Sequence, residues 1–451
     1  MNKIICGLAA MIAAVSLSAQ KRDAVIVATG NMHGNWFDST FTSVKTRASL
    51  LQVSEAIKKI RKAEGDAPVF LVDIGGALEG HNAAFYYNKI AAGKAHLYPR
   101  MAAYMHYDAV MAGPDVSLGR NLIRLMQSLM RKAGVPYLHD GASCVIKKSG
   151  CRFGVMDGED DAAAEAFFNR KKLDYVIYRQ GSKAKVFDGT TVLTADAGKS
   201  GRYYAFFRPS MGEARKIYLS TAQRDADMWD AFKDDYYEVR AFIVAPIGEL
   251  AVPLDVRKSF EGQSDYMNFY HSLALGEKGV DVSMSSPLAL DGTLSAGPVS
   301  YGRIAELYPF DNRFVLLSLS GEEIKAFLEA SYDAWLQGKT PANYESAGGI
   351  CYTVDRSKSY GHRVNITSFT DGRPFKAGKR YNVSMTSYRA SGAGGFLKAA
   401  GLADAESIKE RMVTQGKTFR EILYYYLLKH PVVDSGVISD PAVVGRWSFL
   451  P

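Results

Sequence analysis

The sequence predicts a two-part α/β architecture, on three observations. Short apolar runs alternate with amphipathic stretches through the first half, and a polar, acidic and aromatic stretch interrupts the chain at 224–240. Beyond it, strands rich in β-branched and aromatic residues replace the earlier rhythm. Residues 24–29 read as a buried strand. Leu50, Val53, Ile57 and Ile60 mark one face of a helix stopping at Gly65, and Val69-Phe70-Leu71-Val72 is a second buried strand. Leu122, Leu125, Met126 and Leu129 define another helix, closed by Gly134 and Pro136. This β-α-β order implies a layered sheet whose strand ends feed functional loops. Glu159-Asp160-Asp161 precedes an alanine-rich run and reads as a helix start favoured by the backbone dipole. Asp225, Asp227, Trp229, Asp234 and Asp235 lie on an expected linking helix. Further on, Ser320-Gly321-Glu322-Glu323 is a capping box opening a helix over 324–335, with strands expected near 314–319, 351–354 and 380–385.

With 451 residues, 47% hydrophobic and 23% charged, the chain is long enough for two domains with cores of their own. A formal charge of +8 suits an anionic ligand, but the Lys and Arg residues are scattered rather than clustered, which argues against a nucleic-acid polymer as partner. Lys3, the apolar run over 4–17 and Ser16-Leu17-Ser18-Ala19 before Gln20 have the pattern of a cleaved signal peptide. Cys6 lies inside the apolar run, away from a lipidation position. The expectation is a soluble exported protein, periplasmic or extracellular, with no membrane span after the signal. Export permits disulfides, and the turn at Lys147-Lys148-Ser149-Gly150 allows Cys144 and Cys151 to meet without requiring it. Cys351, in an apolar strand, reads as a buried small hydrophobe. No cysteine spacing has zinc-site form.

Candidate chemistry starts at Asn31-Met32-His33-Gly34, a turn with potential metal-binding side chains directly after the first strand. Asp73-Ile74-Gly75-Gly76 follows the second strand, Gly113-Pro114-Asp115 comes later, and Arg179-Gln180-Gly181 follows the apolar run 173–178. In the second half the ordered motifs are Ser295-Ala296-Gly297-Pro298-Val299-Ser300-Tyr301-Gly302, Tyr308-Pro309-Phe310-Asp311-Asn312, and Leu319-Ser320-Gly321-Glu322-Glu323-Ile324. The last is Ser387-Tyr388-Arg389-Ala390-Ser391-Gly392-Ala393-Gly394-Gly395. In order and spacing these motifs resemble the secreted 5'-nucleotidases and 2',3'-cyclic-nucleotide phosphodiesterases across the mature chain.

The resemblance implies a calcineurin-like metallophosphatase-type layered β-sheet domain, shortened here, followed by a 5'-nucleotidase-type α+β domain. The expected division is signal 1–19, metallophosphatase-like domain 20–220, linking helix 221–248 and substrate-binding domain 249–451. It also shows erosion. Asn31 stands where the family has the aspartate of Asp-x-His-Gly, Gly76 where it has the bridging aspartate, and Pro114 and Asp115 where it has Asn-His. Gln180 falls in the place of a histidine-bearing motif, and 151–173 is too short for a further histidine-bearing strand. His33 alone survives in place. Amide and glycine are poor substitutes for carboxylate on a hard divalent ion. Two such ions about 3.5–4 Å apart repel by roughly 15–20 kcal/mol at an effective dielectric near 20, and no bridging carboxylate remains to offset that. His81, His96, His106 and His139 are spaced without metal-ligand logic.

In the family the base is sandwiched between two rings, which by position are Phe310 and Tyr388. Gly392 and Gly394 suit close backbone approach. Arg389 is the substitute cation for the substrate arginine that Ser286-Pro287-Leu288-Ala289-Leu290-Asp291 lacks. The first-ranked expectation is therefore a nucleoside- or nucleotide-binding pseudoenzyme with no cofactor. A second reading is an active hydrolase with an atypical divalent site on His33, Asp73 and Asp115; a third is an envelope interaction scaffold.

Overall fold

Strands β1 (Val25–Thr29) and β2 (Val69–Asp73) are buried at every position, which requires cover on both faces of their sheet. The computed structural model describes residues 22–39, 41–42, 48–92, 94–199, 201–220, 223–287, 291–308, 310, 312–338, 344–438 and 440–451. The expected signal and Cys6 lie outside them, as does the 288–290 part of the loop carrying Asp291. The chain divides into two compact units, 1–239 and 240–451. The boundary falls inside helix Ala226–Val244.

The first unit contains two sheets. One runs β11-β10-β1-β2-β3-β4, where β3 is Ala109–Met111, β4 Tyr137–Leu138, β10 Tyr203–Arg208 and β11 Glu213–Tyr218. Its centre is parallel, with Val25 opposite Val69 and Thr29 opposite Asp73. The other runs in sequence order through β5 (Ser143–Lys148), β6 (Cys151–Met156), β7 (Tyr175–Gln180), β8 (Lys183–Phe187) and β9 (Val192–Asp196). The sheets share one core, in which Ile26, Phe70, Val72 and Met111 meet Phe153, Val155 and Ile177. Phe70 stacks on Phe153 at 4.4 Å between ring centroids.

The helices form where local signals place them. Leu50–Glu64 starts with a capping box of Ser49 and Gln52 and ends at Gly65, whose φ of 57° suits glycine. Asp161–Lys171 is capped by Asp160, which accepts from the Ala162 and Ala163 N–H groups. It crosses between the parallel strands β6 and β7.

Two cysteine expectations are resolved. Cys144 and Cys151 are free: in the β5–β6 ladder Cys144 faces Val155 and Cys151 faces Lys148, so the register separates them. Cys351 is half-buried rather than buried, because it falls on the outer side of the alternating strand Ile350–Asp355.

The second unit is built on a five-stranded sheet ordered Ser346–Gly348, Val282–Ser285, Arg380–Thr386, Arg313–Ser320, Met412–Thr418. Helix Gly321–Leu336 packs on it through Ile324, Phe327, Leu328 and Tyr332. Its capping box is the expected one: the Glu323 N–H donates to Ser320 Oγ at 3.1 Å, and the Ser320 N–H to Glu323 Oε2 at 2.7 Å. A smaller sheet orders Val364–Phe369, Ile350–Asp355 and Trp447–Leu450, and there Tyr352 lies flat on Trp447, 5.4 Å between centroids and 5° between planes.

Candidate functional site

In the first unit, the loops after β1 and β2 keep pairing beyond the strands. The Asn31 N–H donates to the Gly75 carbonyl at 2.7 Å, His33 N–H to Gly76 at 2.8 Å, and Gly34 N–H to Ala77 at 3.0 Å. This path needs left-handed backbone at Asn31 (φ 48°), His33 (49°), Gly75 (97°) and Gly76 (79°). It also favours glycine at 76, because a Cβ there would lie 2.7 Å from Asn31 Oδ1 and 3.0 Å from Asn31 Cα, so that the Asn31 side chain would have to move. The space beside Gly76 is thus taken up by the Asn31 side chain.

Asp73 and Asp115 are both buried, and their oxygens are taken up inside the protein. Asp73 accepts from the Gly75 N–H and from the Thr29 hydroxyl, each at 2.7 Å. Asp115 accepts from Gly76 (3.1 Å) and Ala77 (3.0 Å) on one oxygen and from Leu78 (3.3 Å) on the other. Burial pushes Asp73 up to about 7 and Asp115 up to about 8, against the backbone donors that work in the opposite direction. Pro114 is exposed and precedes Asp115 in the short helix Gly113–Leu118. Gln180 is exposed at the β7–β8 hairpin, opposite Lys183. Its neighbour Arg179 reaches the Gly113 turn. The Arg179 Nε donates to buried Asp157 at 3.4 Å, Nη1 to Glu159 at 2.5 Å, and a Cβ on Gly113 would lie 3.4 Å from Nε.

A pair of divalent ions needs anionic oxygens free to converge. These residues do not fit that requirement. Gly76 brings no carboxylate, the oxygens of Asp73 and Asp115 are held by N–H and O–H donors, and a fixed guanidinium borders the third turn. Among the described residues, no three His, Cys, Asp or Glu side chains are grouped to hold an ion, so His33, Asp73 and Asp115 are not brought together as one ligand set. His96 is a core histidine: its ring accepts from the Tyr98 N–H, and burial pushes it down to about 3.

The second unit brings its candidate residues together by sheet register. Strands Arg313–Ser320 and Arg380–Thr386 pair antiparallel with Phe314 opposite Thr386, and the Arg313 N–H donates to Ser387 Oγ at 3.0 Å. Phe310, just before one strand, and Tyr388, just after the other, therefore lie at the same end of the sheet. Both rings are open to solvent, 50% exposed for Phe310 and 58% for Tyr388. Neighbouring Tyr308 is by contrast buried, stacked on Phe419 at 5.0 Å and 7°. Gly392, Gly394 and Gly395 take φ of 88°, 82° and 73°, so the loop after Tyr388 requires them. Arg389, expected as a cation for substrate, is buried, and its Nε donates to the buried Glu345 at 2.6 Å. Sequence reasoning missed Glu345, a lone acid beside no motif and 44 residues away from its partner.

Residues 246–401 match the domain family described as 5'-nucleotidase, C-terminal domain. The trifunctional nucleotide phosphoesterase of Bacillus subtilis (strain 168) is 24% identical over 185 residues, covering 35% of this chain and only 12% of that much longer protein. Among solved structures, a protein assigned as a 5'-nucleotidase from Staphylococcus aureus superposes with a TM-score of 0.63 at 15% identity, over 95% of this chain and 99% of that one. The NAD nucleotidase of Haemophilus influenzae gives 0.60 at 12% identity over the same shares. The shared fold is a metallophosphatase-type layered unit followed by an α+β unit.

Proposed function

We infer that this chain, a member of the 5'-nucleotidase family, binds a nucleoside or nucleotide through its second unit and has lost, or strongly reduced, two-metal phosphoester hydrolysis. The observation that carries the loss is the closure at Gly76. A side chain there would meet Asn31 and displace it, and the nearby Asp115 is already committed to three backbone N–H groups. Binding is supported by the domain match over 246–401 and by two large rings left exposed at one end of a sheet. Each ring supplies about 1–3 kcal/mol of base stacking. Part is lost to ordering the ligand, giving dissociation constants from about millimolar to tens of micromolar. The proposed setting is extracytoplasmic, on the signal-like N-terminus; among the described residues no helix is long and apolar enough to cross a membrane.

The test combines three measurements on purified protein: calorimetric titration with adenosine and AMP, elemental analysis after dialysis against Mn²⁺, Zn²⁺ or Ca²⁺, and hydrolysis of 5'-mononucleotides and 2',3'-cyclic nucleotides. Weak nucleoside binding, well below two ions per chain and negligible turnover are expected. Two tight ions with turnover would establish an active hydrolase. Absence of binding at millimolar nucleoside would leave the exposed rings without a base to stack and favour a scaffold.

A further inference from the structure

We infer that the buried pair of Glu345 and Arg389 is a positioning device that holds the glycine-rich loop 392–395 and the exposed Tyr388 ring in place. This deepens, and rests on, the reading of Tyr388 as a base platform. The loop has few means of holding itself. It carries three glycines, all with positive φ, and its residues are half-buried or exposed, so its unfolded alternatives are numerous. Arg389 supplies the tie. Its side chain is 10% exposed and that of Glu345 2%. Nε donates to Glu345 Oε1 at 2.6 Å while Nη1 donates to the Ala393 carbonyl at 3.2 Å. The guanidinium carbon lies 4.6 Å from the Phe396 ring centroid and 5.5 Å from that of Tyr388. One planar fork thus reaches the acid, the loop backbone and two rings, which a lysine point charge cannot reproduce.

The other end of the tie is anchored to the core. The Glu345 N–H donates at 2.6 Å to Ser331 Oγ, which belongs to helix Gly321–Leu336. The turn carrying Tyr388 is fixed at its start, where Thr386 Oγ1 accepts from the Arg389 N–H at 3.2 Å, and at its end, where the Ser391 hydroxyl donates to the Tyr388 carbonyl at 2.7 Å. Gly394 completes the fit: a Cβ there would collide with Arg389 Nη1. Because the guanidinium charge is compensated within the protein, it acts through Tyr388 and not on a ligand phosphate.

The experiment reads amide hydrogen exchange of the free full-length protein by mass spectrometry, over peptides spanning 387–397, for wild type, Glu345→Gln, Arg389→Lys and Gly394→Ala. Calorimetric titrations with adenosine and with AMP accompany it. Loss of a hydrogen bond to a charged group converts to about tenfold or more in an opening equilibrium. Exchange of this segment is therefore expected to accelerate by about that factor in each variant, with peptides of the Arg313–Ser320 strand unchanged. Adenosine and AMP should weaken by the same factor. Unchanged exchange in the folded variants overturns the inference, and so does weakening confined to AMP, which would put Arg389 on the phosphate. Should Glu345→Gln fail to fold, Gly394→Ala reports on the same contact from the loop side. If wild type binds neither ligand while exchange still accelerates, the proposed function falls and the loop tie stands.

Discussion

Placing an aspartate at position 76, where the sequence resemblance leads one to expect a bridging ligand, is expected to destabilise the first unit instead of building half a metal site. Three costs add. An L side chain at φ 79° costs about 1 kcal/mol, at the low end for left-handed backbone because aspartate tolerates it comparatively well. The new Cβ lies 2.7 Å from Asn31 Oδ1 and 3.0 Å from Asn31 Cα, and relieving such overpacking costs roughly 1–3 kcal/mol. Any shift also strains the His33 N–H bond to the Gly76 carbonyl and the Gly76 N–H bond to Asp115, at about 0.5–1.5 kcal/mol per bond. The sum is about 3–7 kcal/mol, a large part of the 5–15 kcal/mol typical of a whole domain.

Because the chain has two units and one transition is not assured, the assay is hydrogen exchange of β1 and β2 peptides across a urea series, for wild type and Gly76→Asp. Adding Asn31→Gly removes the colliding side chain and suits the φ of 48° at that position, so the double variant should recover about 1–2 kcal/mol, the side-chain part of the overpacking cost. A shift below about 0.5 kcal/mol for Gly76→Asp, the range of ordinary surface changes, would refute the reasoning. So would stabilisation of that variant by Mn²⁺, because the loop would then be open enough to present a carboxylate to an ion.

Reverting Asn31→Asp, Gly76→Asp, Pro114→Asn and Asp115→His together should restore little hydrolysis; turnover near about 1–10³ per second would contradict this. Asp115 and Asp73 are held above the usual carboxylate range by burial, up to about 8 and about 7, so the folded state keeps protons that the unfolded chain releases. Stability of the first unit should therefore fall as pH rises from about 6.5 to 8, by at most about 1.4 kcal/mol per pH unit per proton. His96, pushed down to about 3, is neutral in both states over most of that window. Asp115→Asn should flatten the slope in urea midpoints measured across pH. Phe310→Ala and Tyr388→Ala, both at exposed rings, should each weaken adenosine binding by about 1–3 kcal/mol with unchanged thermal unfolding.

What was legible in the sequence was set by short-range chemistry. Ser320 and Glu323 lie three residues apart and make the capping box they spell, and Leu50, Val53 and Ile57 bury one helix face. Asp160 caps its own alanine-rich helix. Phe310 and Tyr388 could be picked out because each sits in a local motif, and the pairing of Phe314 with Thr386 then sets both at one end of a sheet. What stayed hidden depends on contacts distant in sequence. Strand register, not turn length, keeps Cys144 and Cys151 apart. The pairing of Arg389 with Glu345 spans 44 residues, and the bonds from Gly76, Ala77 and Leu78 to Asp115 span 37 to 39.

That last set of bonds bears on how the loops at the strand ends of the first unit are held together. Loops bound around two ions are held by charges that repel one another strongly when the ions are absent. Here the loop after β1 is bonded to the loop after β2 through Asn31, His33 and Gly34. The loop after β2 is bonded in turn to the turn after β3 through Asp115, and Asp73 is satisfied by Thr29 and Gly75. Every link named is an N–H or O–H donated to oxygen, and the bordering cation Arg179 is paired with Asp157 and Glu159. Restoring single ligands meets a structure that is already satisfied, which is why Gly76→Asp is expected to cost stability before it can contribute any chemistry.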